Sequence, residues 1–226
     1  MAMRDSQEVV ISAGNVELEG ELSLPSSPRG VVLFAHGSGS SRHSPRNRYV
    51  AGVLQEAGLA TLLLDLLTPR EEMADLETAA LRFDIDLLST RLIHATEWLE
   101  ENPDTADLNI GYFGASTGAA AALVAAAELP QVAAIVSRGG RPDLAGDSLE
   151  RVQAPTLLIV GGDDVAVLEL NREAMRHLHC EKRLEIIPGA SHLFEEPGKM
   201  EEVARLARMW FEGHLGVKQQ TPGYAA

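Results

Sequence analysis

A serine between two glycines is the feature of this sequence with the clearest chemical meaning. The segment Gly114–Gly118 reads GASTG, follows an apolar run that ends at Phe113, and opens an alanine-rich stretch. At a tight turn from a strand into a helix, such a serine stands above the sheet as a nucleophile, and the glycines relieve crowding around it. A glycine-rich turn with a serine N-cap would produce the same five residues. The order strand, turn, helix favours the nucleophile, Ser116.

A nucleophilic serine needs a base, and the base needs a carboxylate that orients it. Both residue types stand downstream, each soon after an apolar run: Asp163 and Asp164 after Thr156–Val160, and His192 after Leu184–Ile187. This chain order, serine then acid then histidine, is typical of a serine on a strand-to-helix elbow. Either aspartate could be the acid. Asp164 is preferred, because Gly-Gly-Asp-Asp followed by Val-Ala-Val resembles a recurrent Gly-x-x-Asp-x-x-Val acid loop.

Acyl transfer also requires hydrogen-bond donors for the oxyanion that forms during attack. The glycine-rich loop His36–Ser41 follows a central apolar run, and we expect the backbone N–H of Ser38 to point at the site. The second expected donor is the N–H of Thr117, next to the nucleophile. A phosphate-binding loop is the competing interpretation. The loop lacks the third glycine of a dinucleotide fingerprint, and no Gly-Lys-Ser/Thr follows, which disfavours a nucleotide.

The elements that would position these residues follow from the hydrophobic pattern. Runs that are apolar on both faces suit a buried parallel sheet, and segments with helical spacing lie between them. The strand candidates are Val31–Ala35, Leu59–Leu64, Asn109–Phe113, Val132–Val136, Thr156–Val160 and Leu184–Ile187, and the helix candidates include Ile85–Leu99, Ser116–Leu129 and Val203–Trp210. Val16–Leu24 alternates apolar residues with glutamates, which predicts a half-exposed antiparallel strand. We therefore expect an α/β fold with a mostly parallel sheet, an antiparallel N-terminal hairpin and helices on both faces.

Several segments together resemble the α/β-hydrolase superfamily, and within it the small lidless hydrolases grouped with dienelactone hydrolase. They are the His36–Gly39 loop, the Gly114–Gly118 elbow, the Gly161–Asp164 acid loop and His192, in a resemblance that runs from Val9 to Leu215. The resemblance implies an eight-stranded sheet, no cofactor and hydrolysis of an ester. Dienelactone hydrolases proper carry a cysteine nucleophile where this chain has Ser116, so the resemblance is specific for the mechanism and weak for the substrate. Only Ser137–Ala154 separates two strand candidates, which leaves no room for a large cap domain.

Composition and charge limit the other possibilities. The 226 residues are 45% hydrophobic and 23% charged, which fits a globular protein. We predict one domain over residues 1–216 and a flexible tail at 217–226. The net charge of −14 disfavours nucleic acid and anionic membranes as partners. A single cysteine, Cys180, and a polar N-terminus predict a cytoplasmic protein. His177 and His179 do not share a helix face, so no metal site is predicted.

Two arginines are candidates for binding the substrate. Arg42 follows the glycine-rich loop, and Arg138 follows the strand candidate Val132–Val136. Ligands of α/β sheets bind at the carboxyl ends of strands, so either side chain could pair with a substrate carboxylate or phosphate. Salt bridges to the many acidic residues are the alternative role.

The predicted function is therefore a serine hydrolase that cleaves a small carboxylic ester, anionic or neutral, through an acyl-enzyme. The same triad would serve an acyltransferase or an amidase. A noncatalytic binding module on the same fold is the less favoured alternative, because every part of the catalytic apparatus has a candidate residue.

Overall fold

The N-terminal hairpin has the predicted antiparallel form. The computed structural model describes residues 6–216, and within them β1 (Gln7–Ala13) pairs antiparallel with β2 (Val16–Ser23). Leu18 and Leu22 are buried on one face of β2, while Glu17 and Glu19 are exposed on the other. A period of two therefore separates core from solvent, as the alternation predicts.

The remaining strands complete one sheet with a parallel centre. They are β3 (Val31–Ala35), β4 (Ala60–Leu64), β5 (Ile110–Ala115), β6 (Ala134–Arg138), β7 (Thr156–Gly161) and β8 (Lys182–Ile187). The spatial order of the eight strands is β1-β2-β4-β3-β5-β6-β7-β8, and all neighbours from β4 to β8 are parallel. Parallel strands all end at the same edge, so the loops after β3, β5, β6, β7 and β8 meet there.

The sixth strand starts and ends two residues later than the sequence predicts. Val132 is buried, but it precedes the strand, whereas Ser137 and Arg138 are polar and still belong to it. Apolar character marks burial rather than strand pairing, which explains the shift. The consequence is that Arg138 is the last residue of β6 and pairs in register with Ala115 of β5.

Helices cover both faces of the sheet. Among residues 6–216 the α-helices are α1 (Pro45–Glu56), α2 (Pro69–Thr78), α3 (Ile85–Glu101), α4 (Thr117–Glu128), α5 (Val165–His177) and α6 (Lys199–His214). The buried residues of α1 and α6 share one hydrophobic cluster with Phe34 and Phe113, and those of α3 and α4 share another with Leu33 and Tyr112. The sheet thus separates two cores.

The fold has no large cap domain. Between β6 and β7 the chain forms only the 3₁₀ segment Pro142–Arg151, and a second short 3₁₀ turn, Leu81–Phe83, follows α2. No helix within the described part of the chain has the length and apolar character needed to cross a membrane. The predicted tail at 217–226 lies outside the described residues.

Candidate active site

Ser116 lies at the sharp turn between β5 and α4. Its backbone angles are φ 51° and ψ −119°, in a region that residues with a side chain rarely occupy. The turn is held by its neighbours: the Ser116 amide donates to the carbonyl of Arg138 (3.2 Å), and the Arg141 amide donates to the carbonyl of Ser116 (3.1 Å). Strained backbone of this kind persists only when the surrounding structure enforces it.

The two glycines of the turn are required by close packing. A β-carbon on Gly114 would overlap Ala119 in the first turn of α4, and one on Gly118 would overlap the carbonyl oxygens of Ala35 and His36. The start of α4 therefore packs directly on the end of β3 and its loop. This contact brings the glycine-rich loop against the serine, because a β-carbon on Gly37 would lie 3.0 Å from that of Ser116.

His192 and Asp164 form a hydrogen-bonded pair at the ends of β8 and β7. The Nδ1 of His192 lies 2.6 Å from Oδ2 of Asp164. The Asp164 side chain is 15% exposed and the His192 side chain 39%, so the carboxylate is shielded while the ring remains accessible. Asp163 is exposed, and its amide binds the carbonyl of Ala190. Of the two aspartates that the sequence leaves open, the structure brings Asp164 to the histidine.

The loop after β6 contacts both the serine and the histidine. Arg138 binds the Ser116 amide through its carbonyl, and the next residue, Gly139, lies against His192: a β-carbon there would be 3.2 Å from the His192 carbonyl oxygen and 3.5 Å from Cε1. The Ser116 hydroxyl makes no hydrogen bond to a residue within the described range. Hydrogen bonds of catalytic serines are often long in unliganded enzymes and shorten when substrate binds.

The Ser38 and Thr117 amides are available as donors. Neither N–H donates to another group within residues 6–216. Both residues border one cavity of about 270 Å³, which is also lined by the leucines Leu66, Leu67, Leu76 and Leu88. Charged side chains of Glu72, Asp75 and Arg82 complete the lining, so the cavity is mixed in character. Two free amides at its edge suit a carbonyl oxygen that becomes negatively charged.

His36 fixes the glycine-rich loop. Its Nε2 accepts a hydrogen bond from the Leu66 amide (3.0 Å), so Nδ1 carries the proton and donates to the Gly37 carbonyl (2.9 Å). Burial lowers the pKa of His36, although the Gly37 carbonyl and Asp65 partly oppose that shift. The ring is thus neutral near pH 7, and it ties the loop to the residues after β4.

Helix α2 forms one wall of the cavity and is anchored at both ends. Buried Arg91 pairs with Glu71 in its first turn (2.8 Å). At its other end, the Asp75 carboxylate accepts hydrogen bonds from the Leu81 amide (2.8 Å) and from Arg82. Burial would raise the pKa of Asp75, but these hydrogen bonds outweigh it and hold that pKa below its ordinary value.

The two candidate arginines have different surroundings. Arg42 pairs with Asp65 and with Glu19, so its charge is already balanced within the protein. Arg138 is 7% exposed, and its side chain has no hydrogen bond or ion pair with any residue in the described range. Their predicted roles in substrate binding remain predictions, and the surroundings favour Arg138 over Arg42.

Asn171 is a buried polar residue near the site that sequence reasoning missed. It lies buried on α5, and its side-chain amide donates to the carbonyl of Gly140 (2.9 Å), within the loop that joins Ser116 to His192. Its signal in the sequence is a polar residue on the apolar face of a helix, in line with Leu168 and Ala174.

Strand order and the placement of the polar residues together define the class of protein. A mostly parallel sheet in this order, with a serine at the elbow after β5, is the α/β-hydrolase fold, here without a cap domain. The chain belongs to the dienelactone hydrolase family, whose model matches residues 19–213.

Individual relatives agree with this family. The crystal structure of dienelactone hydrolase from Anabaena variabilis is 62% identical in sequence and has a TM-score of 0.92, covering 93% of this chain and 98% of that one. A lidless α/β serine hydrolase from Xanthomonas campestris shares the fold at 20% identity, with a TM-score of 0.76 over 95% of this chain and 97% of that one.

A curated relative from Mycobacterium tuberculosis H37Rv carries a different kind of name. It is called "putative phosphoribosyl transferase" and is 62% identical over 214 residues, which are 94% of this chain but 47% of that protein. The chain therefore spans about half the length of the curated relatives it matches.

Proposed function

We propose that this protein is a serine hydrolase that cleaves a small carboxylic ester through an acyl-enzyme. Ser116 is the nucleophile, His192 the general base and Asp164 the orienting acid. The observation that carries the proposal is the 2.6 Å contact between His192 and Asp164, made by loops that adjoin a strained serine. Membership of a hydrolase family supports the same reaction class.

The reaction begins with proton transfer from the serine to the histidine. Nε2 of His192 takes the proton of the Ser116 hydroxyl as Oγ bonds to the ester carbonyl carbon. The amides of Ser38 and Thr117 hold the resulting oxyanion. When the C–O bond to the alcohol breaks, His192 returns the proton to the departing oxygen. Water then attacks the acyl-enzyme, gives a proton to His192, and Ser116 recovers it as the acid leaves.

Asp164 acts through His192. Its carboxylate accepts a hydrogen bond from Nδ1–H of His192, which leaves Nε2 free to receive the proton from serine, and it stabilises the imidazolium that forms. His36 holds the loop that carries Ser38, and Asn171 holds the loop after β6, whose Arg138 carbonyl binds the Ser116 amide.

We assign hydrolysis rather than phosphoribosyl transfer to this chain. The transferase name belongs to proteins about twice as long, of which the matched part is 47%. The family model that covers residues 19–213 is that of a hydrolase family.

The first test is covalent labelling followed by turnover. A fluorophosphonate probe should label the wild type at Ser116 and leave Ser116→Ala unlabelled. Against p-nitrophenyl esters of short acids, Ser116→Ala should lose about 1,000-fold or more in kcat. Ser41→Ala, on the glycine-rich loop beyond Ser38, is the matched control and should still be labelled at Ser116.

Two results separate the alternatives. Absence of labelling in folded wild-type protein would favour a noncatalytic module. Labelling with product dominated by acyl transfer to an added alcohol or amine, instead of to water, would make the protein an acyltransferase. Faster release from anilides than from matched esters would make it an amidase.

A further inference from the structure

The strand β8 turns one side of its backbone outward at the edge of the sheet. It is the last strand in the spatial order, and its parallel register with β7 runs unbroken from Lys182 to Ile187. The Ile187 carbonyl accepts a hydrogen bond from the Gly162 amide (2.8 Å), and only every second residue of a strand bonds to the same parallel neighbour. The backbone groups of Lys182, Leu184 and Ile186 therefore point away from the sheet.

This edge lacks the features that normally prevent strand pairing. Soluble proteins block their edge strands with proline, with bulges or with lysines that project outward. The strand β8 contains no proline, its register with β7 has no bulge, and the side chain of Lys182 folds back to donate to the Leu178 carbonyl. The apolar side chain of Ile186 is 39% exposed on the same strand. The edge is thus suited to pairing with another strand.

Two opposite charges on β8 make the strand complementary to a second copy of itself. Arg183 and Glu185 lie on one face of the strand as an ion pair, and the Arg183 side chain is still 61% exposed. In an antiparallel pair of β8 strands centred on Leu184, Arg183 of each copy lies directly opposite Glu185 of the other. The four charges then alternate in sign around the two-fold axis, and opposite charges in facing positions stabilise paired strands.

The same two charges disfavour the other registers. Outward backbone groups must face each other in an antiparallel pair, so the nearest alternatives are slips of two residues. A slip in one direction places Arg183 opposite Arg183 of the other copy, and a slip in the other direction does the same to Glu185. The strand at the opposite edge of the sheet, β1, has Glu8 as its only charged residue and so lacks this complementarity.

We propose that two copies of this chain form a symmetric dimer in which their β8 strands pair antiparallel and join the two sheets into one. Such an interface uses the same surface on both copies, so it closes at two and does not extend into a fibre. The side chain of Ile186 lies opposite Lys182 of the other copy, whose methylene groups cover it. The dimer goes beyond the proposed function and does not depend on ester hydrolysis.

Charge reversal on β8 tests the interface by sedimentation velocity. The wild type should sediment at twice the mass of the chain. Arg183→Glu and Glu185→Arg should each raise the dimer dissociation constant about 100-fold or more, because like charges then face each other at two positions. An equimolar mixture of the two variants should form a heterodimer, since one copy presents two acids to two bases of the other. Arg29→Glu reverses an exposed charge on the loop before β3 and should leave the dimer unchanged.

Hydrogen exchange tests the same contact at the backbone. The amides of Leu184 and Ile186 should exchange about tenfold or more faster in either single variant than in the wild-type dimer. The amide of Leu158, in β7, should stay protected in all three proteins, which shows that the sheet is intact. A wild type that is monomeric at every concentration, a dimer that survives both reversals, or folded variants that do not associate when mixed would each overturn the proposal.

Discussion

At the scale of single residues, the site distinguishes two adjacent aspartates, because only one of them contacts the candidate catalytic histidine. Asp163 and Asp164 are neighbours of identical chemistry, yet only Asp164 reaches His192. The difference arises because Asp164 precedes the first turn of α5, where its amide binds the Gly161 carbonyl (3.1 Å). The backbone at this turn directs one carboxylate towards the histidine and leaves the other in solvent.

This pair of aspartates gives a matched prediction. Asp164→Asn should reduce kcat about 100- to 10,000-fold on any ester that the enzyme cleaves, since the amide no longer favours the tautomer with a free Nε2. Asp163→Asn makes the same chemical change one residue away and should stay within about twofold. Steady-state kinetics with p-nitrophenyl butyrate measures both, and a larger loss in Asp163→Asn would reverse the assignment.

At the scale of elements, the site is built where α4 meets the end of β3. Gly118 lies in the first turn of α4, against the carbonyl oxygens of Ala35 and His36, so there is no space for a side chain. This close approach sets the distance between the glycine-rich loop and Ser116. The geometry of the predicted oxyanion donors thus follows from how a helix packs on a strand.

Two helical glycines test this dependence. Gly118→Ala should lower stability by about 1–3 kcal/mol and reduce kcat, because the helix must move away from the loop. Gly52→Ala lies within α1, where a β-carbon would meet nothing within 4 Å, and should gain up to about 1 kcal/mol from helix propensity. Urea unfolding and ester kinetics on both variants provide the measurements. Full activity in stable Gly118→Ala would show that the close contact is dispensable.

At the scale of the whole molecule, charge opposes the binding of an anionic ester, one of the substrates that the sequence leaves open. The net charge of −14 repels an approaching anion, and the arginines near the glycine-rich loop are already paired: Arg42 with Asp65 and Glu19, Arg46 with Glu195, and Arg48 with Glu21. If Arg138 binds such an ester, it attracts the anion over a short distance while the net charge of the protein repels it over a long one.

Salt should separate these two contributions. Raising NaCl from about 0.01 M to about 0.1 M shortens the screening length from about 30 Å to about 10 Å, which weakens the long-range repulsion more than a short buried contact. We expect kcat/KM for p-nitrophenyl hemisuccinate to rise about two- to tenfold relative to p-nitrophenyl butyrate. A fall in this ratio would mean that attraction, and not repulsion, dominates over distance.

Local sequence determined the fold and most of the candidate site. Runs that are apolar on both faces predict the central strands, and glycines predict the elbow, because these requirements act over a few neighbouring residues. The chain order of Ser116, Asp164 and His192 follows from the same signals. The predicted start of β6 was wrong by two residues, because Val132 is buried without being paired in the sheet.

Only the tertiary structure decided how the polar residues pair. Arg42 and Arg138 look alike in sequence, but Asp65 and Glu19 neutralise the first, and no residue in the described range neutralises the second. The hydrogen bonds of His36 to the Leu66 amide and of Asn171 to the Gly140 carbonyl also join residues 30 or more positions apart. Such partners depend on which distant segments the fold brings together, and that is set by packing across the whole sheet rather than by local pattern.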